Sequence, residues 1–398
     1  MFSIKNKLEP NLRLALNKGY YKNYRVIILC SSLMQNIEKK IASYGGKILN
    51  SISYINCIYA ITSTHVLNRL IEFPEVKYIT WDIKANLCGK NVLSANKIYS
   101  HIKCKFTGKN VCVGIIDSGI YPHPDFLSEK NRIKKFIDLV NNLKYPYDDN
   151  GHGTFMSGII ASNGKSSNRS YCGIAPDCSI YSIKAFNSLG YGYIGDILLG
   201  TQILIEESKD INLKVICLPF EINSRDNFIL SLFQKLFNIA AKNNIAVVVP
   251  SGNNGNEKYS IQGISTLKNC ITVGGIDTSS HEIKLYEYSS SGPFFKTQKP
   301  DIVAACVDIV STNSNINYVS ERNGKKLYPT SLKTPYTTYT GTSCAASYIS
   351  GICSLLYESN PDLNFNDLIS LLKISCKLLN LPKWCQGFGM IDFEKLPF

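Results

Sequence analysis

Strand-like and helical hydrophobic patterns alternate in a regular way between residues 24 and 82. Four short apolar runs predict strands, and two stretches with apolar residues at helical spacing predict helices. The strands are predicted at 25–30, 47–53, 55–62 and 76–81, and the helices at 33–44 and 66–71. This βαββαβ order is typical of a small ferredoxin-like α+β domain. Residues 1–23 have no assignable role and are treated as an N-terminal extension.

A longer alternation of strands and helices follows from about residue 107 onwards. Its strand-like runs are almost wholly apolar, which is typical of parallel strands buried on both faces. The predicted strands are 111–116, 180–185, 215–218, 246–250 and 270–274, and the predicted helices include 196–208, 228–242 and 344–356. Asn364, with Asp367 three residues later, predicts the start of one more helix. We therefore expect an α/β domain built on a doubly wound, mostly parallel sheet.

Three polar peptides supply an acid, a base and a nucleophile in one chain order: Asp-Ser-Gly at 117–119, His-Gly-Thr at 152–154 and Gly-Thr-Ser at 341–343. Each peptide alone is typical of an ordinary turn. A serine hydroxyl becomes a good nucleophile only when a base takes its proton and a third group orients that base. Asp117, His152 and Ser343 in this order therefore indicate serine-based hydrolysis.

The predicted elements around these peptides strengthen that hypothesis. Asp117 follows the buried strand 111–116, at the end of the sheet where ligands bind in open α/β folds. Ser343 stands where a small-residue helix begins, so free backbone N–H groups lie beside it. Asn253 follows the strand 246–250 in a Gly/Asn turn, and its amide is a candidate oxyanion donor together with the Ser343 backbone N–H.

The segments 107–125 and 147–154, taken with these motifs, resemble the subtilisin-like serine proteases (subtilases, peptidase family S8). Within that family the chain is most similar to the intracellular AprX-like group of spore-forming bacteria. The resemblance implies a three-layer α/β fold and a serine endopeptidase that works through an acyl-enzyme. It also implies that residues 24–88 are a propeptide that assists folding and inhibits residues 89–398, with self-processing between 82 and 93.

The resemblance also implies two cleft walls that hold an extended peptide, formed by Gly190, Tyr191 and Gly192 on one side and by Pro219, Phe220 and Glu221 on the other. The second wall departs from the family, which usually has Ser-Leu-Gly there. Glu221 places a charged side chain where glycine normally leaves the first specificity pocket open. Two alternatives stay open: Glu221 narrows the pocket or favours a basic P1 residue, or its side chain points to solvent.

Composition narrows the choice of partners and compartment. The net charge is +13, but the lysines are scattered, so we expect a solvated basic surface and no nucleic-acid site. No run of about 18 apolar residues predicts a membrane span. The N-terminus has no apolar signal core and the 14 cysteines are irregularly spaced, so we expect a cytoplasmic protein, with spore association as a further option.

No cofactor and no metal are predicted. The cysteines and histidines form no zinc pattern. Asp125 stands where subtilases often have a calcium ligand, so structural calcium is an open option, but one carboxylate is a weak signal because calcium takes six to eight oxygens. The alternative to an active protease is a pseudoprotease or scaffold in spore germination signalling, which the complete set of Asp117, His152 and Ser343 disfavours.

Overall fold

The computed structural model describes residues 7–82, 90–98, 104–222, 226–280, 282–293 and 298–398. The chain divides into two compact units, Met1–Cys88 and Gly89–Phe398, and each is described here by itself. The predicted junction at 82–93 lies for the most part outside the described residues. Every cysteine within the described residues is a free thiol.

The N-terminal unit is a four-stranded antiparallel sheet covered by helices. Its elements are α1 (Pro10–Lys18), β1 (Tyr24–Cys30), α2 (Met34–Ser43), β2 (Lys47–Ile52), β3 (Cys57–Thr62), α3 (Thr64–Leu70) and β4 (Val76–Trp81). The strand order is β2-β3-β1-β4, so the two βαβ halves interlock. The predicted βαββαβ unit is confirmed, because its periodicity reports directly which face of each element is buried.

Helix α1 belongs to the core of this unit. The Glu9 carboxylate caps the helix by accepting hydrogen bonds from the backbone N–H groups of Asn11 and Leu12, and Gly19 ends it in a left-handed conformation. Leu12 and Leu16 are buried among the apolar residues of the sheet. The structure thus joins the described part of the predicted extension, residues 7–23, to the N-terminal unit.

The C-terminal unit is built on a long, mostly parallel sheet. Its strands are β6 (Cys112–Asp117), β7 (Ile133–Asp138), β8 (Ser179–Lys184), β9 (Leu213–Cys217), β10 (Ala246–Pro250), β11 (Ile271–Asp277), β12 (Lys284–Leu285), β13 (Ile302–Ala305), β18 (Cys376–Lys377) and β19 (Met390–Ile391). The order is β18-β19-β13-β11-β10-β9-β6-β8-β7, with β12 paired to β11. Smaller sheets are formed by β5 (Lys90–Asn91), β14 (Ile309–Thr312) and β17 (Tyr336–Tyr339), and by β15 (Glu321–Arg322) with β16 (Lys325–Lys326).

Helices cover both faces of the large sheet and complete the predicted three layers. They are α4 (Val92–Ala95), α5 (Pro124–Leu127), α6 (His152–Ala161), α7 (Ile194–Glu206), α8 (Asn227–Lys242), α9 (Thr342–Ser359), α10 (Phe365–Ile374) and α11 (Lys383–Gln386). Strand β6 shows the division, because Val113 and Ile115 pack with α6 and α9 on one face while Ile116 packs with α7 and α8 on the other.

Helix α9 is buried almost along its whole length, as its small side chains predict. The closest approach is at Gly351, where an added Cβ would lie 1.5 Å from Cγ2 of Ile174. Asn364 caps α10 by accepting a hydrogen bond from the backbone N–H of Asp367, as predicted. Among the described residues, no helix has both the length and the hydropathy needed to span a bilayer.

Replacement of Leu12 by Ala tests whether α1 is part of the N-terminal core. Leu12 is 0% exposed, and we expect its truncation to lower the free energy of unfolding of this unit by about 2–5 kcal/mol. Leu14 lies in the same helix but is 50% exposed, so Leu14→Ala is the matched control. Amide hydrogen exchange of β1 and β4 in the full chain measures both, and equal effects of the two variants would contradict the assignment.

Candidate active site

Asp117 ends β6 and is held rigidly at the carboxyl edge of the sheet. Its backbone is in register with Lys184, the last residue of the neighbouring strand β8. The Asp117 side chain is almost wholly buried, and one of its oxygens, Oδ1, accepts a hydrogen bond from the Ser118 N–H at 2.6 Å. Burying a carboxylate costs free energy unless donors pair with it. Asp117 therefore needs a further hydrogen-bond donor besides the Ser118 N–H.

His152 supplies that donor from the first position of α6. Its Nδ1 lies 2.9 Å from Oδ1 and 2.8 Å from Oδ2 of Asp117. An N–H at Nδ1 leaves the lone pair on Nε2, the ring atom that a base needs free. Burial disfavours the charged imidazolium, but the charge and hydrogen bond of Asp117, aided by Asp148, outweigh it and raise the pKa of His152 above the ordinary value of 6.5.

Ser343 lies at the N-terminus of α9 and lines the same cleft as Asp117 and His152. Its Oγ donates a hydrogen bond to the backbone oxygen of Pro219 at 2.6 Å. Among the described residues, no hydrogen bond joins Ser343 Oγ to His152. The Ser343 hydroxyl must therefore exchange the Pro219 oxygen for His152 before the expected base–nucleophile contact forms, and such contacts are often loose in a substrate-free site.

Asn253 is fixed by the same helix terminus. Its Oδ1 accepts hydrogen bonds from the N–H and the Oγ1 of Thr342, at 3.2 and 3.3 Å. Because the oxygen end of the amide is held by Thr342, the NH₂ end is directed away from that residue. Asn253 and Ser343 both line the cleft, so a side-chain amide and the N-terminus of a helix lie at the same cleft.

The predicted cleft walls are only partly found at the cleft. Gly190, Pro219, Phe220 and Glu221 line it. Tyr191 and Gly192 do not line the described cleft: the Tyr191 side chain is 73% exposed, and Gly192 forms a β-bridge with Phe186. Four further lining residues were not predicted, and they are Ser118, Asn150, Phe186 and Tyr339.

Glu221 turns its carboxylate towards the loop that carries Asn253. Its Oε2 accepts hydrogen bonds from the Asn253 backbone N–H at 2.9 Å and from Nδ2 of Asn254 at 3.2 Å. Glu221 thus lines the cleft and is anchored there, which differs from the solvent-directed alternative. A narrowed pocket and a preference for a basic P1 residue stay predictions.

Asp148 was not predicted as a site residue, although it is fully buried between the loops of Asp117 and His152. Its carboxylate accepts hydrogen bonds from Ser118 Oγ at 2.9 Å, from Gly151 N–H at 2.8 Å, and from N–H and Oγ1 of Thr154 at 2.8 and 2.6 Å. It therefore caps α6 and ties its first turn to the end of β6. In the sequence, the only indication of this role of Asp148 was an acidic residue shortly before the Gly-His pair.

Lys184 also stabilises the carboxyl end of β6. Its side chain is 0% exposed, and its Nζ donates to the backbone oxygens of Ser118 and Phe186 at 2.7 and 2.8 Å and to Oδ1 of Asp149 at 2.5 Å. A buried ammonium with three acceptors is fully satisfied. It fixes the course of the chain just after Asp117.

The surroundings of Asp125 do not fit a calcium site. One carboxylate oxygen accepts the backbone N–H of Ser166, and the other accepts the hydroxyls of Ser162 and Tyr336. Donors therefore occupy the directions from which a cation would approach. Within the described residues, no group of three or more His, Cys, Asp or Glu side chains could hold a metal ion.

Comparisons with known proteins show what this chain is similar to. Residues 108–390 match the subtilase family model, Peptidase S8. Serine protease AprX of Bacillus subtilis (strain 168) is 33% identical over 347 residues, which cover 82% of this chain and 76% of that protein. Subtilisin E from the same organism is 26% identical over 339 residues, covering 83% and 78%. The structure of sphericase, 20% identical, superposes with a TM-score of 0.63 over 78% of this chain and 100% of that chain, which bears on the fold alone.

The raised pKa of His152 leads to a pH-dependence that can be measured. We expect His152 to titrate above 6.5 in the Ser343→Ala protein, and Asp117→Asn to lower that pKa because the stabilising charge is gone. A base must be unprotonated, so kcat/KM should rise with pH through the raised pKa. NMR titration of the histidine ring protons measures it, with assignment by loss of one signal in His152→Gln.

His123 is an internal contrast in the same titration. It is buried, its Nε2 bonds the backbone oxygen of Pro335, and burial outweighs Asp125 to lower its pKa below 6.5. The two histidines should therefore move in opposite directions. A His152 pKa at or below 6.5, or one unchanged by Asp117→Asn, would contradict the electrostatic account.

Proposed function

The chain belongs to the subtilase family and is a serine endopeptidase, and on this basis we propose that it cleaves peptide bonds through an acyl-enzyme formed on Ser343. Asp117 orients the base, His152 takes and returns the proton, and Ser343 is the nucleophile. The observation that carries this assignment is the contact of Asp117 with Nδ1 of His152 in the cleft that Ser343 also lines. A base oriented in this way is what serine-based acyl transfer requires.

In the proposed first step, Ser343 Oγ turns from the Pro219 oxygen to Nε2 of His152 and attacks the substrate carbonyl. The proton passes to Nε2, and Asp117 stabilises the imidazolium that forms. The oxyanion accepts hydrogen bonds from the Asn253 amide and the Ser343 backbone N–H. His152 then gives its proton to the leaving amine, and water releases the acyl group by the same steps in reverse.

The substrate would lie extended between the two cleft walls. Gly190 on one side and Pro219 to Glu221 on the other line the cleft, which supports this placement. Phe186 and Phe220, with ring centroids 4.9 Å apart, add two apolar rings to the cleft lining. Main-chain hydrogen bonds to an extended peptide bind it without demanding particular side chains.

We further propose that residues 24–88, together with the segment 7–23 that joins the same core, are the propeptide of this endopeptidase and that residues 89–398 are the mature peptidase. The compact βαββαβ fold of the N-terminal unit, which has its own core, supports a separable folding unit. In this proposal the unit assists folding of the peptidase, inhibits it, and is removed by self-cleavage between residues 82 and 93.

Replacement of Ser343 by Ala tests both parts of the proposal. The variant keeps the fold but has no nucleophile, so peptide hydrolysis and cleavage within 82–93 should both be lost, which intact mass and N-terminal sequencing detect. A fluorophosphonate probe should label wild-type Ser343 after removal of the N-terminal unit. Cleavage that persists in Ser343→Ala would assign processing to another protease. A folded, unlabelled wild-type peptidase would instead support the scaffold alternative.

A further inference from the structure

We propose that Glu221 is a positioning residue that holds Asn253 in the geometry needed to stabilise the oxyanion. This inference rests on the proposed function, because it assigns a role within the same site. It goes beyond the substrate-wall role expected for the segment 219–221, because Glu221 here acts on the enzyme's own loop.

Glu221 contacts the Asn253 loop directly. Glu221 follows β9 and Asn253 follows the adjacent strand β10, so the two loops leave neighbouring strand ends. Glu221 Oε2 accepts the Asn253 N–H at 2.9 Å, and the same oxygen accepts from Nδ2 of Asn254 at 3.2 Å. Hydrogen bonds to an ionised carboxylate are stronger than neutral ones, so this contact restrains the loop more than a carbonyl would.

Asn253 is held at both its side chain and its backbone. Thr342 fixes the side-chain oxygen of Asn253, and Glu221 fixes its backbone nitrogen. With only one anchor the exposed residue could turn, and the orientation of its NH₂ group would no longer be fixed. An oxyanion donor is useful only when it is oriented before the reaction, since its reorganisation would otherwise raise the barrier.

The loop before Asn253 leaves space for the Glu221 carboxylate. Gly252, the residue before Asn253, has φ of +104° and carries no side chain. A Cβ built there would lie 2.9 Å from Oε2 of Glu221 and 3.0 Å from Oγ of Ser290. Glycine at this position therefore permits both the turn and the approach of the carboxylate to the loop.

A negative charge beside an oxyanion site destabilises the oxyanion. Glu221 therefore has two properties with opposite effects on the reaction. The acceptor oxygen restrains Asn253, while the charge opposes the developing oxyanion. Glutamine keeps an acceptor oxygen without the charge, and alanine removes both. The two substitutions therefore distinguish a positioning role from an electrostatic one.

The test is a double-mutant cycle on the processed enzyme with Glu221→Ala, Asn253→Ala and the double variant. We expect Glu221→Ala to lower kcat about tenfold with little change in KM, a part of the roughly 10²–10³ that loss of the whole donor costs. The Asn253→Ala variant keeps the backbone N–H at position 253 but lacks the side-chain amide. In that background Glu221→Ala should change kcat by no more than about twofold, because the group through which it acts is gone.

Two further variants control for charge and for folding. Glu221→Gln should recover most of the kcat lost in Glu221→Ala. Glu257→Ala removes an equal charge from an exposed position in the same connection, and no hydrogen bond in the described structure joins its carboxylate to Asn253. It should leave kcat near the wild-type value, and thermal unfolding should show that all variants are folded.

Several outcomes would overturn the inference. Additive effects of Glu221→Ala and Asn253→Ala would indicate independent roles, and a changed P1 preference or KM at constant kcat would make Glu221 a substrate-binding residue. An unchanged Glu221→Ala enzyme would remove any role. In each case a wild-type enzyme that hydrolyses peptides leaves the proposed function intact, whereas a wild-type protein that neither hydrolyses peptides nor reacts with the fluorophosphonate refutes the proposed function itself.

Discussion

Burial of the Asp117 carboxylate at the end of β6 is the constraint on which the cleft depends. A buried charge must be paired, and here the Ser118 N–H and the Nδ1 of His152 satisfy it. The neighbouring charges obey the same rule, since Asp148 is surrounded by donors from the first turn of α6, and Lys184 is surrounded by acceptors. These polar contacts fix the chain just after Asp117 and the loop that contains Asp148, which are distant from each other in the sequence.

The parallel sheet supplies the remaining geometry. Strands β6, β9 and β10 are adjacent, and their carboxyl ends lead to Asp117, to the segment 219–221 and to the Asn253 loop. Helices α6 and α9 pack against the same face of the sheet and begin at this edge with His152 and Ser343 near their first turns. Sheet order therefore brings Asp117, His152, Ser343 and Asn253 to one cleft.

Features particular to this chain surround that shared arrangement. The Pro219 carbonyl accepts a hydrogen bond from the Ser343 hydroxyl, and Glu221 links its own wall of the cleft to the neighbouring loop that carries Asn253. Asp125 is enclosed by hydroxyl and amide donors, so a hydrogen-bonded anchor stands at a position where the family often places a metal ligand. The family fold thus leaves the loops after each strand free to change their chemistry.

The sequence by itself determined the elements and the candidate chemistry. Hydrophobic periodicity reports burial through backbone geometry, which is local, so it predicted the βαββαβ unit, the parallel strands and the buried helix at Ser343. Only the tertiary structure decided what each side chain touches. The Glu221 carboxylate meets a loop 32 residues away, Ser343 bonds an oxygen 124 residues away, and α1 joins a core formed by later strands. Such contacts depend on which residues the fold brings together, and no local pattern along the chain records that.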